Sequence, residues 1–255
     1  MKFKTTPYHF DLLKDIERLS AFSKAIEEYS GNKNLAFDLG CGSGVLSYFL
    51  SFYFDEIVSL EIDFKAYECA KDNLNSFKNI DVVNIDVLDF DFNKKADLIV
   101  CEMLDTALID EEEIPILNYA KDFLKHDGEI IPQGIINAAE LVNMQRNYIH
   151  WDENASYEAY SPQVIYSQFN FKDEINPQCE YDLAFKSNKD GIINGLKITT
   201  FTKLNDNLIA GPTPMLNPPL LIPLDEKKVK SNDFIKVKLK YIMGNGIESI
   251  DIDYV

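Results

Sequence analysis

The chain has 255 residues, 46% of them hydrophobic, and its 42 Asp and Glu against 25 Lys and Arg give a formal net charge of −17. That length can bury a full α/β core and leave room for a smaller second unit. The charge repels phosphate, so nucleic acid is disfavoured as a partner without a local basic patch, and none is evident in the sequence. No apolar run approaches the roughly 20 residues that span a bilayer, and "MKFKTTPYHFDLLKD" has no signal-peptide core, so a cytoplasmic protein with no membrane partner is expected. Cys41, Cys69, Cys101 and Cys179 form no CxxC pair, and His9, His126 and His150 are scattered, so neither a disulfide framework nor a metal site is expected.

Leu12, Ile16, Leu19, Phe22, Ile26 and Tyr29 recur at helical spacing and predict one amphipathic helix from about Asp11 to Tyr29, stopped at Gly31. After it, "NLAFDL" reads as a buried strand, "VLSYFLSFY" as a helix, "EIVSLEI" as a strand and "KAYECAKDNLNSF" as a helix. The alternation continues through "IDVVNI", "ADLIV", the helix "EEIPILNYAKDFL" and "GEIIP", which argues for a parallel sheet with helices on both faces. Past Pro132 the helical period ends, and "QVIYSQFNF", "GLKITTFTKL", "LLIPL" and "FIKVKLKYIM" read as strands between turn residues. The expected division is an α/β unit over residues 1–132 and a mainly β unit over 133–255. "GPTPMLNPPL" is too rich in proline to be a central strand.

The turn "DLGCGSGVLS" carries Gly40, Gly42 and Gly44 as GxGxG between a strand and a helix, not as the GxGxxG of dinucleotide turns. Glycine there lets a ligand approach the backbone closely, which points to a nucleotide-like cofactor. In an open α/β sheet ligands sit at the carboxyl ends of the strands. Asp38 ends the first strand and Glu61 the second, where a carboxylate can accept both hydroxyls of a ribose, while Asp86 follows the third and can meet an adenine amino group. "CEMLDTALIDEEEIPILNY" holds six carboxylates and no basic residue, which suits a cationic acceptor or, alternatively, a solvated acidic loop and helix start.

These segments resemble class I S-adenosylmethionine methyltransferases, and within them the protein arginine methyltransferases. "DLGCGSGVLS" is similar to their cofactor loop, "VSLEID" to their ribose-binding strand end, "HFDLLKDIERLSAF" to the helix that closes over the cofactor, and "CEMLDTALIDEEE" to their double-glutamate loop. "NYIHWDEN" and "GLKITTFTKLN" resemble segments of the family's β-barrel domain. The resemblance implies a Rossmann-like α/β methyltransferase domain followed by a smaller β-barrel-like domain. S-adenosylmethionine would be held by His9, Arg18, Asp38, Gly40, Gly42, Glu61, Ile62, Asp86, Val87 and Glu102, with Arg18 pairing the methionine carboxylate. Glu102 and Glu111 would be catalytic, gripping a cationic protein or small-molecule acceptor, with Glu112 a rival for the second place.

Three departures stand beside these matches. The stretch corresponding to the family's Thr-His-Trp element is "GPTPMLNPPL", with neither His nor Trp, and the loop from Glu102 to Glu111 lacks the family's aromatic residues. The stretch before "INGLKITTF" is too short for the family's dimerisation arm, so an arm-mediated dimer is not expected. Methyl transfer to a cationic acceptor is the leading reading. An RNA methyltransferase is an alternative, although "CEML" stands where adenine-modifying enzymes carry an Asn/Asp-Pro-Pro-aromatic tetrad. A cofactor-binding scaffold without turnover is the third.

Overall fold

A computed structural model describes residues 3–151 and 157–255. The first half runs α1 (Pro7–Lys14), α2 (Ile16–Glu28), β1 (Leu35–Leu39), α3 (Val45–Leu50), β2 (Glu56–Glu61), α4 (Phe64–Leu74), β3 (Ile80–Asn84), β4 (Ala96–Cys101), α5 (Glu113–Ala120) and β5 (Leu124–Ile131). The second half holds β6 (Gly134–Met144), β7 (His150–Trp151), β8 (Tyr157–Ala159), β9 (Val164–Asn170), β10 (Gln178–Lys186), β11 (Gly191–Asn205), β12 (Leu208–Ala210), β13 (Leu220–Val229), β14 (Phe234–Ile242) and β15 (Asp251–Tyr254).

Strands β1 to β5 form one parallel sheet in the order β3-β2-β1-β4-β5, the doubly wound arrangement with its switch point between β1 and β4. All residues of β1 and β4 are buried, as expected for central strands covered on both faces. At the amino ends, Asp97 accepts hydrogen bonds from the Asn34 and Leu35 amides and from Lys125 Nζ, tying β1, β4 and β5 together. The chain leaves this sheet at Ile131 and enters an antiparallel one at Gly134. There β6 and β11 pair from Val142↔Gly195 to Gly134↔Lys203 and carry β13, β7, β8, β9 and β12 on either side. A second antiparallel sheet has the order β10-β14-β15. Among the described residues these are two sheets, without the closed ring of pairing that a barrel has. One apolar core runs through both halves, from Leu39 and Ile99 to Leu196 and Leu239.

The single helix expected from Asp11 to Tyr29 is two helices that break at Asp15. The Asp15 carboxylate accepts the Arg18 amide at 3.0 Å and starts α2 afresh, and it also accepts the Met215 amide at 3.1 Å and the Thr213 hydroxyl. The break shifts the buried face, so Phe22, Ile26 and Tyr29 are buried while Ile16 is exposed. The helix expected over "EEIPILNYAKDFL" ends at Ala120 and tightens into a 3-10 turn over Lys121–Phe123. "GPTPMLNPPL" contributes only an isolated bridge, Thr213 to Leu216, before β13 begins. Of "NYIHWDEN", His150–Trp151 pairs with β13, and residues 152–154 lie outside the described residues.

Asp38 sits at 1% exposure inside the α/β half, where its carboxylate accepts the Ser47 hydroxyl and Ser47 in turn meets Ser59 at 2.7 Å. Burial pushes the Asp38 carboxyl up to about 7, against the pull of the Ser47 hydrogen bonds. An unfolded Asp loses its proton near pH 4. Between about pH 4 and 7 the folded chain therefore binds a proton that the unfolded one has shed, and stability falls as pH rises through that window. Asp38→Asn should flatten part of this slope, seen as a smaller drop in Tm between pH 5.5 and 8 than in the parent protein.

Candidate active site

A cavity opens at the carboxyl ends of β1, β2 and β4, lined by the glycine turn, by α1 and by the loop after β4. Gly40 and Gly42 form its floor, both with positive φ (+70° and +56°). A Cβ on Gly42 would lie 2.6 Å from the His9 ring, so only glycine lets α1 come down onto the turn. Gly44, the third of the series, serves the helix and not the cavity, since at φ +85° it caps α3 where a Cβ would meet Leu74 at 2.6 Å. The ring of His9 is held by a 2.7 Å bond between Nδ1 and Thr6 Oγ1, and Thr6 also caps α1 ahead of Pro7. Burial holds the His9 pKa below its usual value, which favours the neutral ring.

Glu61 ends β2 at 7% exposure and accepts the Gly42 and Asp63 amides, each at 2.8 Å. Two oxygens offer about four acceptor positions, so this carboxylate can brace the turn and still face the cavity that it lines. Ile62 beside it is 66% exposed at the rim. Asp86 caps the 3-10 turn Val87–Asp89 by accepting the Leu88 amide at 2.9 Å. Neither Asp86 nor Val87 lines the cavity, and Asp38 lies beneath it.

Arg18 and Glu102 meet inside the cavity wall. Arg18 Nε donates to Glu102 Oε1 at 2.7 Å and Nη2 donates to Oε2, with both side chains almost wholly removed from solvent. A two-pronged pair of this kind is strong and directional. Glu111 lines the same cavity, whereas Glu112 is exposed and outside it. Burial raises the Glu111 pKa, and the nearby Asp110, Glu102 and Glu112 add to the rise. Beneath the loop, Glu113 is fully buried, neither carboxyl oxygen has a hydrogen-bond partner among the described residues, and burial followed by the Glu102 charge pushes its pKa well up.

Three lining residues carry no sequence signal of their own: Tyr8 beside the carboxylates, Met103 against Gly40, and Met215, brought from the antiparallel half. Asp105 is a fourth residue that spacing does not mark, and its carboxylate organises the loop that holds Glu111. The Cβ-intolerant floor, the carboxylate at the end of β2 and the cation above it fit S-adenosylmethionine, which combines a ribose, an adenine and an amino acid.

Fold and cavity define an S-adenosylmethionine-dependent methyltransferase of class I. Residues 21–158 match the family model described as ribosomal protein L11 methyltransferase (PrmA), and the chain belongs to that family. It is 43% identical to an uncharacterised protein of Methanothermobacter thermautotrophicus over 255 residues, all of both chains. A ribosomal protein L11 methyltransferase of Thermoanaerobacter pseudethanolicus is 31% identical over 125 residues, 48% of this chain and 38% of that one. The fold is shared with the Trypanosoma brucei PRMT1 enzyme–prozyme heterotetrameric complex with AdoHcy, at a TM-score of 0.81 and 15% identity over 92% of this chain and 87% of that one. That likeness spans both halves, so the antiparallel half is part of the shared fold.

Breaking the buried pair from one side leaves a charge uncompensated. Arg18→Met should cost about 3–5 kcal/mol by denaturant unfolding, and adding Glu102→Gln to it should restore much of that loss, because the pair is then replaced rather than broken.

Proposed function

We propose that this methyltransferase acts on a cationic acceptor, a basic side chain of a protein, and that the cavity holds donor and acceptor on opposite sides of Glu102. The observation that carries this reading is that Glu102 and Glu111 line the same cavity as Gly40 and Gly42, within an otherwise acidic loop. On the donor side, Gly40 and Gly42 let the backbone approach S-adenosylmethionine, Glu61 accepts the ribose hydroxyls, Arg18 pairs with the methionine carboxylate, and His9 and Ile62 close the rim. Asp38 supports this side indirectly, through Ser47 at the start of α3.

S-adenosylmethionine supplies a methyl group on a positively charged sulfur, open to in-line attack. A protonated amine has no lone pair to attack with and a guanidinium only a delocalised one, so the site must orient the cation and take the proton it releases. Each oxygen of Glu102 accepts once from Arg18, which leaves each a further acceptor position, so Glu102 and Glu111 can meet the acceptor together. The raised pKa of Glu111 suits it to receive the acceptor's proton.

The deciding experiment incubates the protein with tritiated S-adenosylmethionine and native extract. Label on protein supports the proposal, label on RNA replaces it with an RNA methyltransferase, and donor binding with no labelled fraction leaves a scaffold. With a labelled protein in hand, Glu111→Gln should lower transfer roughly a hundredfold, about 3 kcal/mol of transition-state stabilisation, while Glu112→Gln stays within about twofold. Glu61→Ala should weaken S-adenosylmethionine binding by about 1–3 kcal/mol in calorimetry.

A further inference from the structure

The loop between Glu102 and Glu111 holds only a 3-10 turn over Thr106–Leu108, and it is closed on itself by one side chain. Asp105 is 9% exposed, and its Oδ2 accepts the amides of Ile109 and Asp110 at 3.1 Å each while Oδ1 accepts the amide of Glu111 at 3.3 Å. Within the turn so closed, Ala107 and Leu108 both take left-handed backbone angles (φ 60° and 58°) and both are fully buried. A single left-handed alanine or leucine costs roughly 1–2 kcal/mol, so two in succession persist only where the surroundings over-determine them. The antiparallel half supplies the rest of the hold. Ala107 N donates to Thr200 Oγ1 at 2.8 Å, Thr106 Oγ1 donates to the Pro218 carbonyl at 2.6 Å, and the amides of Gly244 and Gly246 donate to the carbonyls of Leu108 and Ile109 at 2.9 Å.

We infer that Asp105 is the positioning residue for the acceptor carboxylate: by binding the amide of Glu111 itself and the two before it, it sets where the Glu111 side chain enters the cavity. The inference rests on the role proposed for Glu111, and it assigns to Asp105 no contact with donor or acceptor. Asparagine at this place keeps the size but turns an NH2 group toward backbone N–H donors, so the amides lose part of their partner.

The test compares the parent with Asp105→Asn in three measurements: amide hydrogen exchange, calorimetric binding of S-adenosylhomocysteine, and transfer from tritiated S-adenosylmethionine to the protein fraction of native extract. Exchange at residues 109–111 should speed at least tenfold and transfer should fall at least tenfold, with the Kd for S-adenosylhomocysteine within twofold of the parent's. A general loss of structure would move donor affinity as well. Exchange unchanged at 109–111, or transfer at the parental rate in a variant whose loop has loosened, overturns the inference. If the parent labels no protein, the acceptor reading fails, and the exchange arm alone still decides whether Asp105 holds the loop. If Asp105→Asn does not fold, the parent decides: amides 109–111 should exchange at least a hundredfold slower than in an unstructured peptide, and exchange at the free rate overturns it.

Discussion

The contact of Arg18 with Glu102 joins a helix at the amino end of the chain to the end of a central strand, and much of the molecule is arranged around it. A guanidinium taken out of water must be met by charge and by acceptors. Glu102 supplies both, with a further 3.4 Å contact from Arg18 to the Leu12 carbonyl. Arg18 lies on the buried side of α2, which Asp15 caps, and α1 just before that cap lines the cavity. The same Asp15 carboxylate reaches the Thr213 and Met215 segment, so α2, the cavity cover and the antiparallel half are joined at one residue.

Charge is divided around the cavity. Near the glycine turn the acidic groups are engaged one by one: Glu61 by two amides, Asp38 by a hydroxyl, Glu102 by a guanidinium. Around Glu111 the acids crowd one another, with Asp105, Asp110 and Glu113 close by. Crowding in a poorly solvated place opposes ionisation, and an arriving cation relieves it.

The five parallel strands, the glycine turn and the acidic run were legible because each depends on local pattern: buried runs of β-formers, glycines at alternate positions, carboxylates at strand ends. Arg18 and Glu102 could be placed by resemblance, but their mutual pairing could not, since 84 residues separate them. The break at Asp15 was hidden because Ile16 keeps the helical spacing while facing solvent. Asp105 reads as one more acid in an acidic stretch, and Glu113 as an ordinary first-turn glutamate, though one anchors a loop and the other is wholly buried. In each case the deciding partner comes from a distant part of the chain or from backbone geometry, neither of which has a sequence period. The long strand β6 carries little strand signal of its own, because its "NAAE" centre lacks β-branched residues.

Thr200, which accepts the Ala107 amide, donates its own hydroxyl to Asn137, and Asn137 donates to Ser167, so a polar chain runs from the acidic loop across β11, β6 and β9. The boundary at Ile131 and Gly134 is thus a seam in topology that this hydrogen-bonded chain crosses. A fragment cut there would retain every strand of the parallel sheet while the loop after β4 lost the partners that hold its left-handed turn. What the loop draws from the antiparallel half is the Thr200 hydroxyl, the Pro218 carbonyl and the amides of Gly244 and Gly246, a small part of the sheets that present them.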